Sequence, residues 1–508
     1  MVAAVKSLGL FGMNAYEVEV EADLSSGLPR FDVVGLPDAA VKESRDRVNS
    51  ALKNVGYEFP NGRVTINLAP ADVRKTGPSY DLAIFLGILL SSGQLSSLPE
   101  KAAFLGELSL SGEVRSVTGV LPMVLHAREK GYQAVFVPAA NAAEAGIVDR
   151  IDVFPVAHIR ELLNFLTCAA ELAPVSSSTP KRKEDLCTPD FSEVKGQQAA
   201  RRALEIAAAG GHNALMIGPP GSGKSMLAKR LPSILPDMTF EESIEATKIH
   251  SVAGLLSPEY PLILNRPFRS PHHTISPAGL SGGGSVPKPG EISLAHQGVL
   301  FLDELPEFSR AALEVLRQPI EDGTVTISRA NGSLTYPCSM MLIAAMNPCA
   351  CGYFGHPSRA CTCSPQRVSQ YLSRISGPLL DRLDLHIEVA PVEFDSLSSK
   401  APGESSASVR ARVNRARQFQ AARYEGKGVF CNARLTPGLL SEACPVSDAG
   451  KQLLRQAFDR MGLSARAYDR ILKVARTIAD LDEAEVIEQR HLAEAVQYRS
   501  LDRKYWQR

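Results

Sequence analysis

The run Gly218-Pro-Pro-Gly-Ser-Gly-Lys-Ser225 constrains this chain more than any other eight residues in it. It follows a short apolar run, Ala214-Leu-Met-Ile217, and leads into Met226, Leu227 and Leu231 at helical spacing. A strand that turns through glycines into a helix wraps backbone N–H groups around a chain of phosphates. Here Gly218, Pro219, Pro220, Gly221, Ser222 and Gly223 form the loop. Lys224 reaches the β and γ phosphates of ATP, and the Ser225 hydroxyl binds Mg²⁺.

Three further apolar runs end on polar groups: Val299-Leu-Phe-Leu302 before Asp303, Met341-Leu-Ile-Ala-Ala-Met346 before Asn347, and Ile387-Glu-Val389. Strands apolar on both faces imply a parallel sheet covered by helices, and such sheets bind ligands at the carboxyl ends of their strands. Asp303 is therefore expected to hold Mg²⁺. Glu304 is expected to deprotonate the attacking water, which a hydrolase needs and a kinase does not. Asn347 is placed to polarise the same water.

The chain has 508 residues, enough for about three domains. Two stretches read as linkers, 173–187, rich in Pro and Ser and then charged, and 395–406. They separate an α/β segment (1–172), the phosphate-binding segment (188–394) and a helical segment (407–508). In the first, Tyr16–Glu21 and Arg63–Asn67 alternate as strands do, Asp38–Leu52 and Val120–Lys130 read as helices, and Gln133–Val137 reads as a buried strand. Lys+Arg and Asp+Glu both number 55, which excludes a protein held to nucleic acid by bulk charge but not one with a local basic channel. The longest apolar run, Leu82–Leu90, is half a membrane span, and the first residues lack the pattern of a signal peptide, so no membrane association and a cytoplasmic location are expected.

In that setting cysteines are reduced. Cys349-Ala-Cys351 and Cys361-Thr-Cys363 form C-x-C-x₉-C-x-C, which reads as a tetrahedral Zn²⁺ site or as four free thiols.

The ordered set of Gly218–Ser225, Asp303-Glu304, Asn347, Arg382 in Gly377-Pro-Leu-Leu-Asp-Arg-Leu-Asp384, and Arg466 resembles the AAA+ ATPases. Arg266-Pro-Phe-Arg-Ser-Pro-His-His273, Gly282-Gly-Gly284, Pro289-Gly-Glu-Ile-Ser-Leu-Ala-His296 and Asn347-Pro-Cys-Ala-Cys-Gly352 look like the magnesium-chelatase-like branch. The whole chain is similar to the ComM/YifB family. The resemblance implies that Asn347 is sensor 1, Arg382 the arginine finger of the neighbouring site, and Arg466 sensor 2 on a helical lid. It loosely matches Val194 and Gly196 to the adenine side. A finger acting in trans implies a head-to-tail ring, usually a hexamer. The family resemblance further implies a DNA helicase that drives branch migration in recombination during natural transformation, on single-stranded or branched DNA and alongside recombination proteins. Alternatives are a motor that remodels proteins and a magnesium-chelatase-type motor subunit.

Two insertions lie where motors of this branch touch their substrate. One spans about 250–290 and carries Arg266, Phe268, Arg269, His272 and His273. The other, Thr324–Tyr336, alternates around Asn331-Gly332 as a hairpin does, with Arg329 near the tip. Arg266, Arg269, His272, His273 and Arg329 are the expected DNA contacts. From 408 to 434 there are seven basic residues and one acidic, which reads equally as a DNA-binding face or a solvated helix face. Lys75-Thr-Gly-Pro-Ser79, Gly106-Glu107 and Ala134–Pro138 resemble the Lon protease domain. Lon peptidases use a Ser–Lys pair. Ser79 matches the serine, but about Met123 stands where the lysine is expected, and methionine accepts no proton. An inactive Lon-like domain, and not a peptidase, is the expectation.

Overall fold

The computed structural model describes residues 2–175, 189–284, 287–329, 332–391, 403–461 and 463–506. Most of both predicted linkers lies outside these. The chain forms two compact units, Met1–Lys183 with Ser243–Leu264, and Glu184–Glu242 with Asn265–Arg508. Residues 243–264 thus group with the first unit and not with the segment around them in sequence. The C-terminal helices group with the phosphate-binding sheet.

In the first unit, Ala3–Phe11 and Asn14–Ser25 pair antiparallel, and Arg63–Ala69 and Arg30–Val34 extend the sheet. A parallel sheet of Ala102–Phe104, Ala134–Pro138 and Asp152–Val156 stands beside it. The helix Asp81–Ser91 is apolar on nearly every side because it is buried between neighbours, which explains the longest apolar run. The predicted helix over 38–52 divides at Glu43 into Ala39–Lys42 and Ser44–Val55. The helix Val120–Glu129 follows Gly119, whose φ of 76° is left-handed, and the Glu144 carboxylate accepts the Leu121 N–H in its first turn at 2.9 Å. Ser251 donates to the same carboxylate, and Gly119 N–H binds the Ser251 carbonyl at 3.1 Å, which ties residues 243–264 into this unit. Met123 is buried in that helix, Ser79 precedes Asp81–Ser91, and the buried Lys75 ammonium donates to the Pro70 carbonyl.

The second unit is built on five parallel strands in the order Phe268–Arg269, Val299–Leu302, Met341–Met346, Ala214–Ile217, Leu385–Glu388. All but the first are read in the sequence as apolar runs, although the last begins earlier than expected. Phe268–Arg269 corrects the reading of residues 250–290 as one substrate loop. Two residues are too few to show a period, yet Pro267 accepts the Val299 N–H at 2.8 Å and starts the edge strand. Helices Gln198–Gly210, Ser406–Arg423 and Ala465–Leu481 pack their apolar faces into the sheet's core. Between the strands that lead into Asp303 and Asn347, the chain makes two short helices and the hairpin Thr324–Arg329 with Gly332–Pro337. Arg329 pairs with Gly332 at the end of the ladder. Asn331 itself, and the Arg329 side chain, lie outside the described residues.

Candidate active site: the nucleotide cleft

The three central strands of this sheet end on the groups the chemistry needs. Ile217 leads into the phosphate loop, Leu302 into Asp303, and Met346 into Asn347. Register forces them together, because Gly218 N–H binds the Met346 carbonyl at 3.2 Å and Leu302 pairs with Ala344. The result is a cleft of about 390 Å³, lined by Pro220, Gly221, Gly223, Lys224, Ser225 and Met226 with Asp303, Glu304, Met346 and Asn347. Gly223, with φ of 89°, makes the left-handed entry to the helix Lys224–Arg230.

Lys224 Nζ donates to the carbonyls of Gly218 and Pro219 at 2.8 and 2.9 Å and to Asn347 Oδ1 at 3.2 Å. Burial lowers its pKa, while Asp303 and Glu304 pull it back up. Ser225 Oγ donates to Asp303 Oδ2 at 2.6 Å. A hydroxyl and a carboxylate oxygen held this close at the foot of a phosphate loop fit Mg²⁺, which would supply charge neutralisation to a bound triphosphate. Glu304 is over half exposed to the cleft, and its backbone is left-handed at φ 52°, a strained conformation characteristic of functional positions.

His273, expected among the DNA contacts, lies beside Glu304, its Nδ1 at 3.5 Å from Oε2. The other basic candidates of residues 250–290 have partners within the chain. Arg266 donates to the carbonyls of Pro236, Gln297 and Asp237 and to Glu242, so its guanidinium is consumed within the chain. Arg269 makes a two-pronged pair with Glu291 at 2.6 and 2.7 Å. His272 is exposed and bonds Thr274 at 2.9 Å. The basic run of the C-terminal segment resolves the same way: Arg412 pairs with Glu205 and Glu404, Arg415 with Glu483, Arg423 with Asp480, and Lys427 with Glu442. These four basic side chains are ion-paired within the chain, Arg415 and its partner on the exposed surface.

Neither expected arginine of the ring mechanism lines this chain's own cleft. Arg382 is nearly buried, with Nη2 at 2.5 Å from Glu321 and Nη1 donating to Pro378. Arg466 is exposed in the first turn of Ala465–Leu481. One turn later, Arg470 pairs at 2.5 Å with the buried Asp384, which also receives Asn213 N–H at 3.1 Å and faces His212 at 3.4 Å. Burial alone would raise the Asp384 pKa, but Arg470 and His212 outweigh it and hold it well below the usual carboxylate range. Asn213 opens the strand that leads to the phosphate loop, so this network joins that strand to the C-terminal helices. Sequence reasoning also missed Gln197, which donates to the Ser222 carbonyl at 3.2 Å, and Tyr371, whose hydroxyl faces the Asn347 backbone.

The four cysteines of the two C-x-C pairs come together beside the cleft, with their sulfurs all within 4.8 Å of one another. The first of them stands two residues after Asn347. No described helix is long and apolar enough to cross a membrane.

Comparison with known proteins accords with this geometry. The family model described as magnesium chelatase, subunit ChlI, matches residues 190–397, that for subunit ChlI of Mg-chelatase matches 20–141, and that for the subunit's C-terminal part matches 403–499. The competence protein ComM of Haemophilus influenzae is 45% identical over 99% of this chain and 98% of its own. The chain belongs to the ComM/YifB family. The protein YifB of Escherichia coli K12, at 43% identity over 98% of this chain and 97% of its own, is another member. A Lon protease of Mycolicibacterium smegmatis is 25% identical over 34% of this chain and 23% of its own length. The ComM/YifB chain described here is thus a magnesium-chelatase-like AAA+ ATPase, a family that implies ATP and Mg²⁺, with a Lon-like α/β region.

Proposed function

We propose that this protein is a hexameric, ring-forming, ATP-driven motor that moves DNA and promotes branch migration of recombination intermediates. The observation that carries this reading is the hairpin. It lies in the chain between Asp303-Glu304 and Asn347, so movement at either side of the ATP site is passed to it along a short path. One face buries Val325, Ile327, Leu334 and Tyr336. The other exposes a ladder of hydroxyls, Thr326 opposite Thr335 at 3.1 Å and Ser328 opposite Ser333 at 3.2 Å. Arg329 follows in the chain as the last paired position before the tip. Hydroxyls and an arginine are the groups that contact phosphate oxygens without reading sequence. A ring of such hairpins suits a nucleic-acid backbone. The relationship to a competence protein supports DNA as the substrate and recombination in natural transformation as the setting.

In this reading Arg382 completes the neighbouring subunit's site once its pair with Glu321 opens, and Arg466 senses nucleotide from the helical lid. The four thiolates of Cys349, Cys351, Cys361 and Cys363 hold a structural Zn²⁺. The direct test is ATPase rate without DNA, with single-stranded DNA, with branched DNA and with an unfolded protein. Stimulation by DNA and not by unfolded protein is expected. The reverse pattern assigns the motor to protein remodelling.

A further inference from the structure

The cysteine cluster is wired into the ATP site at three points. Cys349 comes two residues after Asn347, whose side chain accepts from Lys224 at 3.2 Å. Gly352, next to Cys351, is buried against the phosphate loop. A Cβ built on it would lie 2.6 Å from Pro220 Cγ, and its φ of 85° is left-handed, so only glycine fits. Cys363 precedes Ser364, the N-cap of the helix Pro365–Leu372, and near the end of that helix the Tyr371 hydroxyl faces the Asn347 backbone.

The sulfurs themselves are arranged for a cation. Cys349, Cys351 and Cys361 stand 3.3, 3.5 and 3.7 Å apart. A tetrahedral site with Zn–S of about 2.3 Å has sulfurs about 3.8 Å apart. Backbone N–H groups are aimed at them: Phe354 and Gly352 at Cys349, Tyr353 and Thr362 at Cys351, and Cys363 at Cys361. Such donors stabilise thiolate charge and orient ligands. Between the two C-x-C pairs run nine residues, of which Gly355 and Pro357–Ala360 are exposed. The loop's own contacts are few, chiefly Arg359 stacked 4.0 Å over the Tyr353 ring and donating to its hydroxyl at 2.7 Å, so a metal joining its two ends would remove much of its remaining freedom.

The geometry points to a metal-dependent brace: Zn²⁺ bound by Cys349, Cys351, Cys361 and Cys363 holds Asn347 and the Pro220 side of the phosphate loop in the arrangement that binds and turns over ATP. This rests on the zinc reading above and adds that the metal and nucleotide sites are energetically coupled. Gly352 and Tyr371 are positioning residues, because they act on the nucleotide site through Pro220 and Asn347.

Coupling of this kind is reciprocal, so it is read from both sides. The experiment measures zinc per chain by elemental analysis and the affinity for a fluorescent ATP analogue, on the full chain, before and after chelation and after adding Zn²⁺ back. It also measures the rate of zinc release to a chelator with and without Mg²⁺ and the analogue. One zinc per chain is expected, with nucleotide affinity about tenfold weaker after its removal and restored by Zn²⁺. Bound nucleotide is expected to slow zinc release. Gly352→Ala, which keeps all four thiols, is expected to lose affinity by a similar factor, and this variant decides the matter if the stripped protein unfolds. Zinc bound at one per chain with affinity unchanged on removal, or normal affinity in Gly352→Ala, overturns the brace and leaves the zinc site standing. Less than one zinc per three chains overturns the zinc reading and the brace with it.

Discussion

Replacing Lys224 by Ala and Glu304 by Gln separates binding from chemistry, because the cleft gives the two side chains different neighbours. Lys224 Nζ spans the phosphate loop, with two carbonyls at 2.8 and 2.9 Å and Asn347 at 3.2 Å. Its ammonium therefore lies where phosphate oxygens compete for the same donors. A hydrogen bond from a charged group is worth about 1.5–3 kcal/mol net, so losing two to phosphate costs about 3 kcal/mol, or roughly 150-fold in Kd. Glu304 makes no described hydrogen bond or ion pair with the loop; its described ion-pair partner is His273 at 3.5 Å. Glu304→Gln removes the base and leaves every phosphate donor in place, so Kd is expected to stay within about twofold while turnover falls by about 10²–10⁴. The assay is titration with a fluorescent ATP analogue plus single-turnover hydrolysis. Equal ATP affinities in the two variants would refute these role assignments.

Other expected outcomes follow from the same geometry. Arg382→Ala binds ATP normally but does not hydrolyse it, and mixing it with Glu304→Gln restores part of the activity across mixed interfaces; no recovery at any ratio counts against a finger acting in trans. Asp384→Asn leaves Arg470 without its buried partner and costs about 3 kcal/mol, read as a lower Tm in calorimetry. Because the folded carboxyl of Asp384 titrates below its unfolded value, its contribution is full above the unfolded pKa and is lost as pH falls below it towards the folded value. The Tm gap between wild type and Asp384→Asn should therefore narrow on acidification, and a gap that is constant or widens would contradict this. Arg329→Ala lowers the salt slope of DNA binding by about 0.7–0.9 for each phosphate it leaves unneutralised, whereas Arg266→Ala lowers Tm and leaves the slope alone. An unchanged slope in a salt titration of Arg329→Ala would place the DNA path elsewhere.

What the sequence discloses here depends on the range of the interaction. The phosphate loop and three of the other strands of the sheet are legible because each is a local pattern: glycines at fixed offsets, or a short apolar run ended by a polar residue. Asp303, Glu304 and Asn347 are legible for the same reason, since a strand's last residue is known once the strand is. The partners of Arg266 and Arg269 are not legible, because nothing local shows that Glu242 and Glu291, more than twenty residues away, pair with them. The neighbour of His273 is hidden likewise, since its position beside Glu304 follows the two-residue strand Phe268–Arg269. The grouping of residues 243–264 with the first unit rests on Ser251 meeting Glu144, a hydrogen bond between positions over a hundred residues apart. Gly352 carries no sequence signal beyond being a glycine, and its purpose is visible only when Pro220 is seen against it.

The central claim, that ATP turnover at this cleft drives DNA through the hairpin, is tested most directly by three-strand branch migration with purified protein, comparing wild type, Glu304→Gln and Arg329→Ala. The account predicts ATP-dependent exchange by wild type, none by Glu304→Gln, and a strong reduction in Arg329→Ala while its basal ATPase survives, because the hairpin lies outside the nucleotide cleft. Exchange by Arg329→Ala at the wild-type rate, or no exchange by a wild-type protein that hydrolyses ATP, would contradict it.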